Sequence, residues 1–213
     1  VPVHFQENTL GYAVLQCEMS LKFVPTCMFR NWMRYVNSGL EMVRIRNKLI
    51  SVSISESMTG LYNRRGMELK VNEMFSNADK GDSCFVMLVD MDGLKTINDK
   101  FGHGEGDNAI ITVGRALLSS SLQSEICARF GGDEFGVAVI CPDNDTDVFF
   151  EDFKKRFLDF LWDYNRKSGK PYQVRASIGY CAAHINNKLN IEKMIELADE
   201  KMYEYKAKNK RIS

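Results

Sequence analysis

Two apolar segments, residues 125–130 (EICARF) and 135–140 (FGVAVI), are separated only by the four residues GGDE. Apolar segments of this length, joined by a short turn that contains glycine, are typical of a β-hairpin. Because two strands alone are not stable in water, such a hairpin must belong to a larger sheet or pack against other elements. The sequence around residue 130 therefore predicts a β-sheet that contains this hairpin.

A second strand is indicated by residues 83–90 (SCFVMLVD), a continuous apolar run that ends in an acid. Such a run predicts a central strand buried on both faces, with Asp90 at its C-terminal end. Residues 174–183 (VRASIGYCAA) predict a further strand. Helical spacing of apolar residues is found in four segments: 93–102, 106–120, 146–167 and 190–210. The order predicts an α+β fold, with an antiparallel or mixed sheet flanked by helices.

The predicted sheet brings acids and glycines to one edge. Asp90 ends its strand, and Asp133 and Glu134 lie at the hairpin tip, so these carboxylates would repel one another without a cation. Hard oxygen ligands select Mg²⁺ or Mn²⁺, and Gly131 and Gly132 would let a phosphate chain approach the backbone closely. This combination suits metal-assisted phosphoryl or nucleotidyl transfer. For an isolated GGDE turn, a tight turn with solvated acids is the favoured explanation, and Asp90 taken singly is equally explained by a helix N-cap.

Composition excludes several other classes. The 213 residues contain 28 Lys plus Arg and 28 Asp plus Glu, so net charge indicates neither a nucleic acid partner nor an anionic membrane. No apolar run reaches the roughly 18 residues of a membrane span. The six cysteines lack paired spacing and predict free thiols in a reducing cytoplasm. The chain reads as a fragment, and we expect any membrane anchor to lie outside it.

The N-terminal quarter has a different pattern. Residues 1–27 predict a hairpin-like β piece, the tail of an upstream sensory domain, and residues 28–55 an amphipathic linker helix. Asn47 occupies one inner position of a heptad stripe, as polar residues that fix register in parallel coiled coils do. The helix either dimerises and transmits a signal or packs on its own domain. The apolar members of the stripe are Phe29, Met33, Val36, Leu40, Val43 and Ile50.

The remaining chain, residues 56–213, resembles the GGDEF-domain diguanylate cyclases of bacteria. The resemblance rests on five motifs in the order and spacing of that family: ESMTGLYNRRG (56–66), DMDGLKTINDKFGHGEGD (90–107), RFGGDEF (129–135), ASIGY (176–180) and ADEKMYEYKAKNK (198–210). It implies a palm-like, nucleotide-cyclase-like sheet and the condensation of two GTP into cyclic di-GMP and two pyrophosphates. Signal transduction through cyclic di-GMP would follow.

The resemblance also implies roles for individual residues. Asp90 and Asp133 match the metal-binding carboxylates, with the main-chain carbonyl of Met91 completing a site for two Mg²⁺ or Mn²⁺ ions. Asp133 matches the position usually proposed as proton acceptor. Glu134, the second acid of the motif, receives a supporting catalytic role.

The substrate-binding residues are carried over in the same way. Asn98 and Asp107 match the positions that read the guanine edge, since an amide and a carboxylate together satisfy hydrogen-bonding groups that adenine does not present in that order. Asp107 favours GTP for both substrate molecules, because relatives that make a mixed cyclic GMP–AMP product lack this acid. Further candidates for contacts with the substrate are His103, Lys95, Gly131, Gly132, Lys206 and Lys210.

One palm holds one GTP, and the attacking 3′-hydroxyl must come from a second GTP. Catalysis therefore requires two palms face to face, a homodimer, and the upstream helix would set how they meet. The alternative is a catalytically silent GTP-binding module that acts as a sensor or interaction domain. Neither reading includes nucleic acid or membrane contact within the fragment.

Several positions depart from the family pattern. Glu56 and Met58 stand where Asp and Leu are more usual, and Lys210 stands where Arg is commoner, which exchanges a bidentate fork for a point charge. Many members carry an R-x-x-D product-inhibition site five residues before the two glycines, where this chain has Leu122 and Glu125. We therefore expect no feedback inhibition through this site.

Overall fold

The computed structural model describes most of the chain, which separates into two compact units, Val1–Ser53 and Ile54–Ser213. The described residues are 2–5, 8–12, 24–79, 81–122, 125–142, 146–186 and 189–209. None of the helices in these ranges is both long and apolar enough to cross a bilayer.

The first unit contains a two-stranded antiparallel sheet and most of a long helix. Strand β1 (Pro2–Phe5) pairs with β2 (Asn8–Tyr12), with an irregular register after Val3. Helix α1 (Val24–Ile54) begins four residues before the predicted start of the linker helix. Residues 38–50 of this helix are exposed throughout, including the apolar side chains of the heptad stripe in this range.

The second unit is built on a four-stranded sheet. Its strands are β3 (Asp82–Asp92), β4 (Ile126–Gly131), β5 (Glu134–Pro142) and β6 (Arg175–His184). The order is β4-β5-β3-β6, and every neighbouring pair is antiparallel. The predicted α+β fold with a sheet flanked by helices is confirmed. Strand β3 continues two residues past Asp90, so the acid lies near the end of the central strand and not at its last position.

Five helices cover the two faces of this sheet: α2 (Arg64–Phe75), α3 (Leu94–Phe101), α4 (His103–Ser120), α5 (Thr146–Lys167) and α6 (Ile191–Asn209). Side chains alternate along β3 because successive residues of a strand point to opposite faces. Phe85, Met87 and Val89 pack in the cluster that contains α4 and α5. Val86 and Leu88 pack in the cluster that contains α2 and α6. The central strand is therefore buried on both sides, as its continuous apolar run predicts.

The same alternation determines where the acids lie. Asp90 continues the series of Val86 and Leu88, so its side chain is on the α2/α6 face of the sheet. Glu134 is directly opposite Asp90 on β5, and directly paired residues share a face. Strand periodicity thus brings two acids to one end and one face of the sheet.

Candidate active site

The hairpin tip between β4 and β5 has a backbone that only glycine adopts cheaply. Gly131 has φ 144° and Gly132 has φ 54°, both in the range that disfavours residues with a Cβ. Gly131 pairs with Glu134, so the turn consists of only Gly132 and Asp133. Among the described residues, no heavy atom other than those of the chain neighbours lies within 4 Å of a Cβ built on either glycine. The tip therefore presents an open main chain to which a phosphate group has close access.

Arg129 holds this tip from within. Its Nε and Nη2 donate hydrogen bonds to the carbonyl oxygen of Gly132, at 3.2 and 2.9 Å. Its Nη1 lies 3.2 Å from Oε2 of Glu56. Because the arginine is only 8% exposed, these charge-assisted contacts are shielded from water. One guanidinium thus connects the turn at residues 56–60 with the turn of the GGDE motif.

Glu56 organises the first of these turns. Its carboxylate accepts hydrogen bonds from the main chain of Met58 (2.9 Å) and from both the N–H (2.9 Å) and hydroxyl (2.7 Å) of Thr59. Burial opposes ionisation, but these bonds and Arg129 outweigh it and lower the pKa of Glu56 to about 2. Although aspartate is more usual at this position, the glutamate therefore still accepts hydrogen bonds from the turn at Met58 and Thr59.

The acids predicted to bind metal are brought together at the end of β3. The Met91 N–H donates to the carbonyl oxygen of Asp133 at 2.9 Å, which places the hairpin tip against the residue after Asp90. Asp90 is opposite Glu134 on one side and Ser177 on the other. Like charges directly across a sheet destabilise it, so this arrangement favours a bound cation.

The possible ligands at this point are carboxylate and carbonyl oxygens. Across the described part of the chain, no three His, Cys, Asp or Glu side chains are grouped so that they could hold a metal ion. The predicted set has two carboxylates, Asp90 and Asp133, and the Met91 carbonyl, so a cation here would need substrate oxygens to complete its shell. All of these donors are hard oxygens, which fit Mg²⁺ or Mn²⁺.

The base-reading candidates lie on the two helices that follow β3. Gly93 (φ 74°) lies between the end of β3 and the start of α3, which carries Lys95 and Asn98. Gly102 (φ 87°) then turns the chain into α4. Positions three or four apart share one side of a helix, so Lys95 lies beside Asn98, and His103 beside Asp107. The side chains of Lys95, His103 and Asp107 are exposed, and that of Asn98 is half-buried.

Asn98 lies directly against the first turn of α4. A Cβ at Gly106 would overlap Oδ1 of Asn98 and come 2.9 Å from its Cγ. The glycine therefore creates the space that the carboxamide occupies. This contact brings Asn98 next to the residue before Asp107, so the two predicted guanine-reading groups belong to one neighbourhood.

The two lysines predicted to bind phosphate, Lys206 and Lys210, lie at the C-terminal end of the chain. Lys206 belongs to α6, which packs on the same face of the sheet as Asp90, but its side chain is not among those described. Lys210 lies outside the described residues. At the position of the product-inhibition site, the Leu122 N–H donates to Oε2 of Glu125 at 2.8 Å, and the Leu122 side chain is 61% exposed.

One cluster beside the site was not expected from the sequence. Glu105 of α4 accepts hydrogen bonds from the Nζ of Lys170, at 2.8 Å to each oxygen, and from the hydroxyl of Tyr172, at 2.6 Å. The bond from Lys170 lowers the pKa of Glu105, while burial and the glutamate raise that of Tyr172. Lys170 and Tyr172 come from a loop with no motif, so sequence pattern alone gives no signal for them.

The domain is an antiparallel palm, and its central strand lies beside a Gly-Gly turn and two acids. The base-reading candidates follow on the next two helices. This combination is typical of a nucleotide-binding domain. The chain matches the family model described as diguanylate cyclase, GGDEF domain, over residues 53–211. It belongs to the GGDEF family of diguanylate cyclases, which confirms the family assigned from its motifs.

Curated relatives agree with this assignment. The chain is 30% identical to the probable diguanylate cyclase DgcT of Escherichia coli over 213 residues, covering 93% of this chain and 46% of that protein. It is also 30% identical to the diguanylate cyclase VdcA of Vibrio cholerae, covering 78% of this chain and 49% of that protein. The chain therefore spans less than half the length of these relatives.

Solved structures share the fold. The diguanylate cyclase SiaD of Pseudomonas aeruginosa, solved with its activator SiaC, superposes with a TM-score of 0.64 at 26% identity, covering 85% of this chain and 69% of that one. A second structure, the coiled coil and GGDEF domain of DgcB from Caulobacter crescentus with c-di-GMP, has a TM-score of 0.64 at 19% identity, covering 82% of this chain and 93% of that one. These likenesses confirm the palm-like α+β fold.

Proposed function

We propose that this chain is an active diguanylate cyclase that condenses two GTP into cyclic di-GMP. In each half-reaction the 3′-oxygen of one GTP forms a bond to the α-phosphorus of the other. The bond between the α-phosphorus and its bridging oxygen breaks, pyrophosphate leaves, and the 3′-hydroxyl proton is lost. Two such steps close the ring and release two pyrophosphates.

The observation that carries this proposal is the junction of β3 with the hairpin tip. The 2.9 Å bond from the Met91 N–H to the Asp133 carbonyl puts an open Gly-Gly backbone beside Asp90, Asp133 and Glu134. Such a corner suits a triphosphate, because it offers close main-chain approach and acids that bind its accompanying cations. The acids and glycines are intact, which favours catalysis over a silent GTP-binding module.

We assign the cation site to Asp90, Asp133 and the Met91 carbonyl, and we propose that it binds two Mg²⁺ or Mn²⁺ ions. A bound divalent ion would neutralise triphosphate charge and acidify the attacking hydroxyl. Asp133 is the proposed proton acceptor, and Glu134 supports it. Asn98 and Asp107 orient the guanine, and phosphate contacts are assigned to Lys206 and Lys210, with Lys95 and His103 as further contacts.

We further propose a homodimer in which the palms face each other across two GTP molecules, in the cytoplasm where GTP is available. One domain supplies one electrophile, so the second nucleotide must come from a second copy. The exposed stripe of α1 supports this arrangement, because Leu40, Val43 and Ile50 are 45, 54 and 43% exposed in the single chain. We propose that residues 1–27 belong to an upstream sensory domain and that α1 links it to the palm.

Incubation of the purified chain with GTP and Mg²⁺ tests this function directly. We expect pyrophosphate release and a nucleotide product with the mass of cyclic di-GMP. Asp133→Ala should abolish both while leaving the thermal unfolding transition in place. GTP binding by the wild type without pyrophosphate release would establish the silent module instead. Full turnover by Asp133→Ala would show that the cation is held elsewhere.

A further inference from the structure

Asp107 directly follows the first turn of α4, a glycine-rich segment that does not hold a fixed conformation well by itself. Gly102 precedes α4, and Gly104 and Gly106 lie within its first turn, on either side of Glu105. Each glycine inside a helix costs about 1 kcal/mol relative to alanine, because the unfolded chain is freer. An external contact is therefore needed if Asp107 is to be held at a defined position.

Glu105 makes such a contact. Its two oxygens each lie 2.8 Å from the Lys170 Nζ, and Oε2 also accepts the Tyr172 hydroxyl at 2.6 Å. The same hydroxyl lies 3.3 Å from the main-chain carbonyl oxygen of Glu105. The loop between α5 and β6 thus contacts both the side chain and the backbone of the glycine-rich turn.

The loop is itself anchored, so it is able to hold the turn. Asn165 of α5 exchanges two hydrogen bonds of 2.8 Å with the main chain of Val174. Tyr172 is 9% exposed, and its ring lies 5.4 Å from that of Phe101, the last residue of α3. The contacts therefore run from the body of the domain through the loop to both helices of the base-reading segment.

The direction of Glu105 separates it from the substrate. Successive residues of an α-helix are rotated by about 100°, so Glu105 and Asp107 point to nearly opposite sides of α4. Glu105 faces the loop, and Asp107 faces away from it on the side of His103. The cluster therefore contacts the turn on the side opposite to Asp107, away from the predicted guanine-reading groups.

We propose that Glu105, Lys170 and Tyr172 are positioning residues for guanine recognition. They fix the first turn of α4 so that Asp107 and Asn98 are presented at a constant separation, and they set selectivity for guanine over adenine. This inference rests on the guanine-binding role given to Asn98 and Asp107 in the proposed function. Neither Lys170 nor Tyr172 contacts the nucleotide.

Binding of nucleoside diphosphates tests the proposal without catalysis, since GDP, IDP and ADP lack the γ-phosphate and so cannot release pyrophosphate. In Lys170→Met and Tyr172→Phe we expect the Kd for GDP, measured by titration calorimetry, to rise about tenfold and fivefold, equivalent to about one hydrogen bond. The Kd for ADP should change less than about twofold. IDP, which lacks the 2-amino group, should show an intermediate change.

Lys167→Met is the matched control. Lys167 forms a similarly short pair, 2.6 Å from Asp163, and both side chains are exposed on the surface of α5. We expect GDP binding unchanged in this variant. In a Glu105→Gln background, Lys170→Met should add no further loss, because the two changes break the same contact. Thermal unfolding of each variant establishes that the domain is folded.

Two results would overturn the proposal. One is wild-type GDP affinity in folded Lys170→Met and Tyr172→Phe. The other is an equal loss for GDP and ADP, which indicates damage to the fold or to phosphate binding. Failure of the proposed function looks different: the wild type would prefer GDP to ADP but release no pyrophosphate from GTP. A wild type without any preference for GDP would remove both the guanine assignment and this inference.

Discussion

At the scale of single residues, the geometry of the site depends on a few glycines, where an added Cβ atom would strain the backbone or displace a neighbouring side chain. Gly131 and Gly132 make the hairpin tip possible through positive φ, and Gly106 makes room for Asn98 through its missing Cβ. The sequence motif identifies all three glycines, but only the structure shows that they serve different purposes. Gly106 is a packing requirement, so its substitution should affect substrate selection more than folding.

Gly106→Ala should raise the KM for GTP by at least about tenfold, because the new Cβ displaces the Asn98 carboxamide and weakens one base contact. Helix propensity favours alanine by about 1 kcal/mol, so the melting temperature should change little. Gly104→Ala is the control, since a Cβ at Gly104 would meet no heavy atom of the described part of the chain within 4 Å, apart from its own neighbours in the helix. Steady-state kinetics and thermal unfolding measure both. An unchanged KM in Gly106→Ala would contradict the base-reading role of Asn98.

Glu56 predicts a pH dependence of stability. Its pKa of about 2 in the folded chain lies below the ordinary 4.5, so its contribution is complete above pH 4.5 and is lost between pH 4.5 and 2. Glu56→Gln should lower the unfolding free energy by about 2–3 kcal/mol at pH 7 and flatten its decline in acid. Denaturant titration at several pH values measures this effect. Glu73→Gln, at an exposed pair with Lys70, should leave the profile unchanged.

At the scale of elements, local sequence explains the hairpin more completely than it explains α1. The existence of the hairpin is determined locally, because a glycine-containing turn joins two apolar runs. Its register is not, since the pairing shifts between Arg129 and Gly131 and leaves a turn of only Gly132 and Asp133. Helix α1 is also read correctly as a helix from its periodicity, but periodicity does not say what covers its apolar stripe. In the single chain, Leu40, Val43 and Ile50 of that stripe are exposed.

If α1 pairs with a second copy through its heptad stripe, Asn47→Lys should weaken the dimer, because two lysines would meet at one inner position. We expect the dimer dissociation constant, measured by sedimentation, to rise at least about tenfold, with a parallel loss of specific activity at low protein concentration. Ser38→Lys, exposed on the same helix but outside the stripe, is the control. Turnover and dimerisation both unchanged in Asn47→Lys would remove this role of α1.

At the scale of the whole molecule, the sequence predicts that product does not regulate the enzyme through the usual inhibitory position. Leu122 replaces the arginine, and Glu125 binds the main chain of its own turn. Added cyclic di-GMP should therefore change the initial rate by less than about twofold. Leu122→Arg combined with Glu125→Asp should create inhibition. Tight binding of cyclic di-GMP to Asp133→Ala away from the catalytic pocket would contradict the prediction.

Much of this domain was readable from the chain itself, for identifiable reasons. Continuous apolar runs predict strand β3 and the hairpin, and the spacing of the motifs indicates the family and the candidate acids. In the structure, β3 ends two residues after Asp90, and α1 begins at Val24 and not at the predicted residue 28. The boundaries differ because they depend on hydrogen bonding, which the apolar pattern does not encode.

The sequence by itself determined the architecture, the family and the residue types of the site, because periodicity and turn chemistry act over a few neighbouring residues. Tertiary structure alone decided which distant residues support that site. Arg129 reaches Glu56 across 73 positions, and Lys170 and Tyr172 reach Glu105 across 65 and 67. Such contacts arise when folded elements bring remote segments together, and no local pattern in a single sequence encodes that encounter.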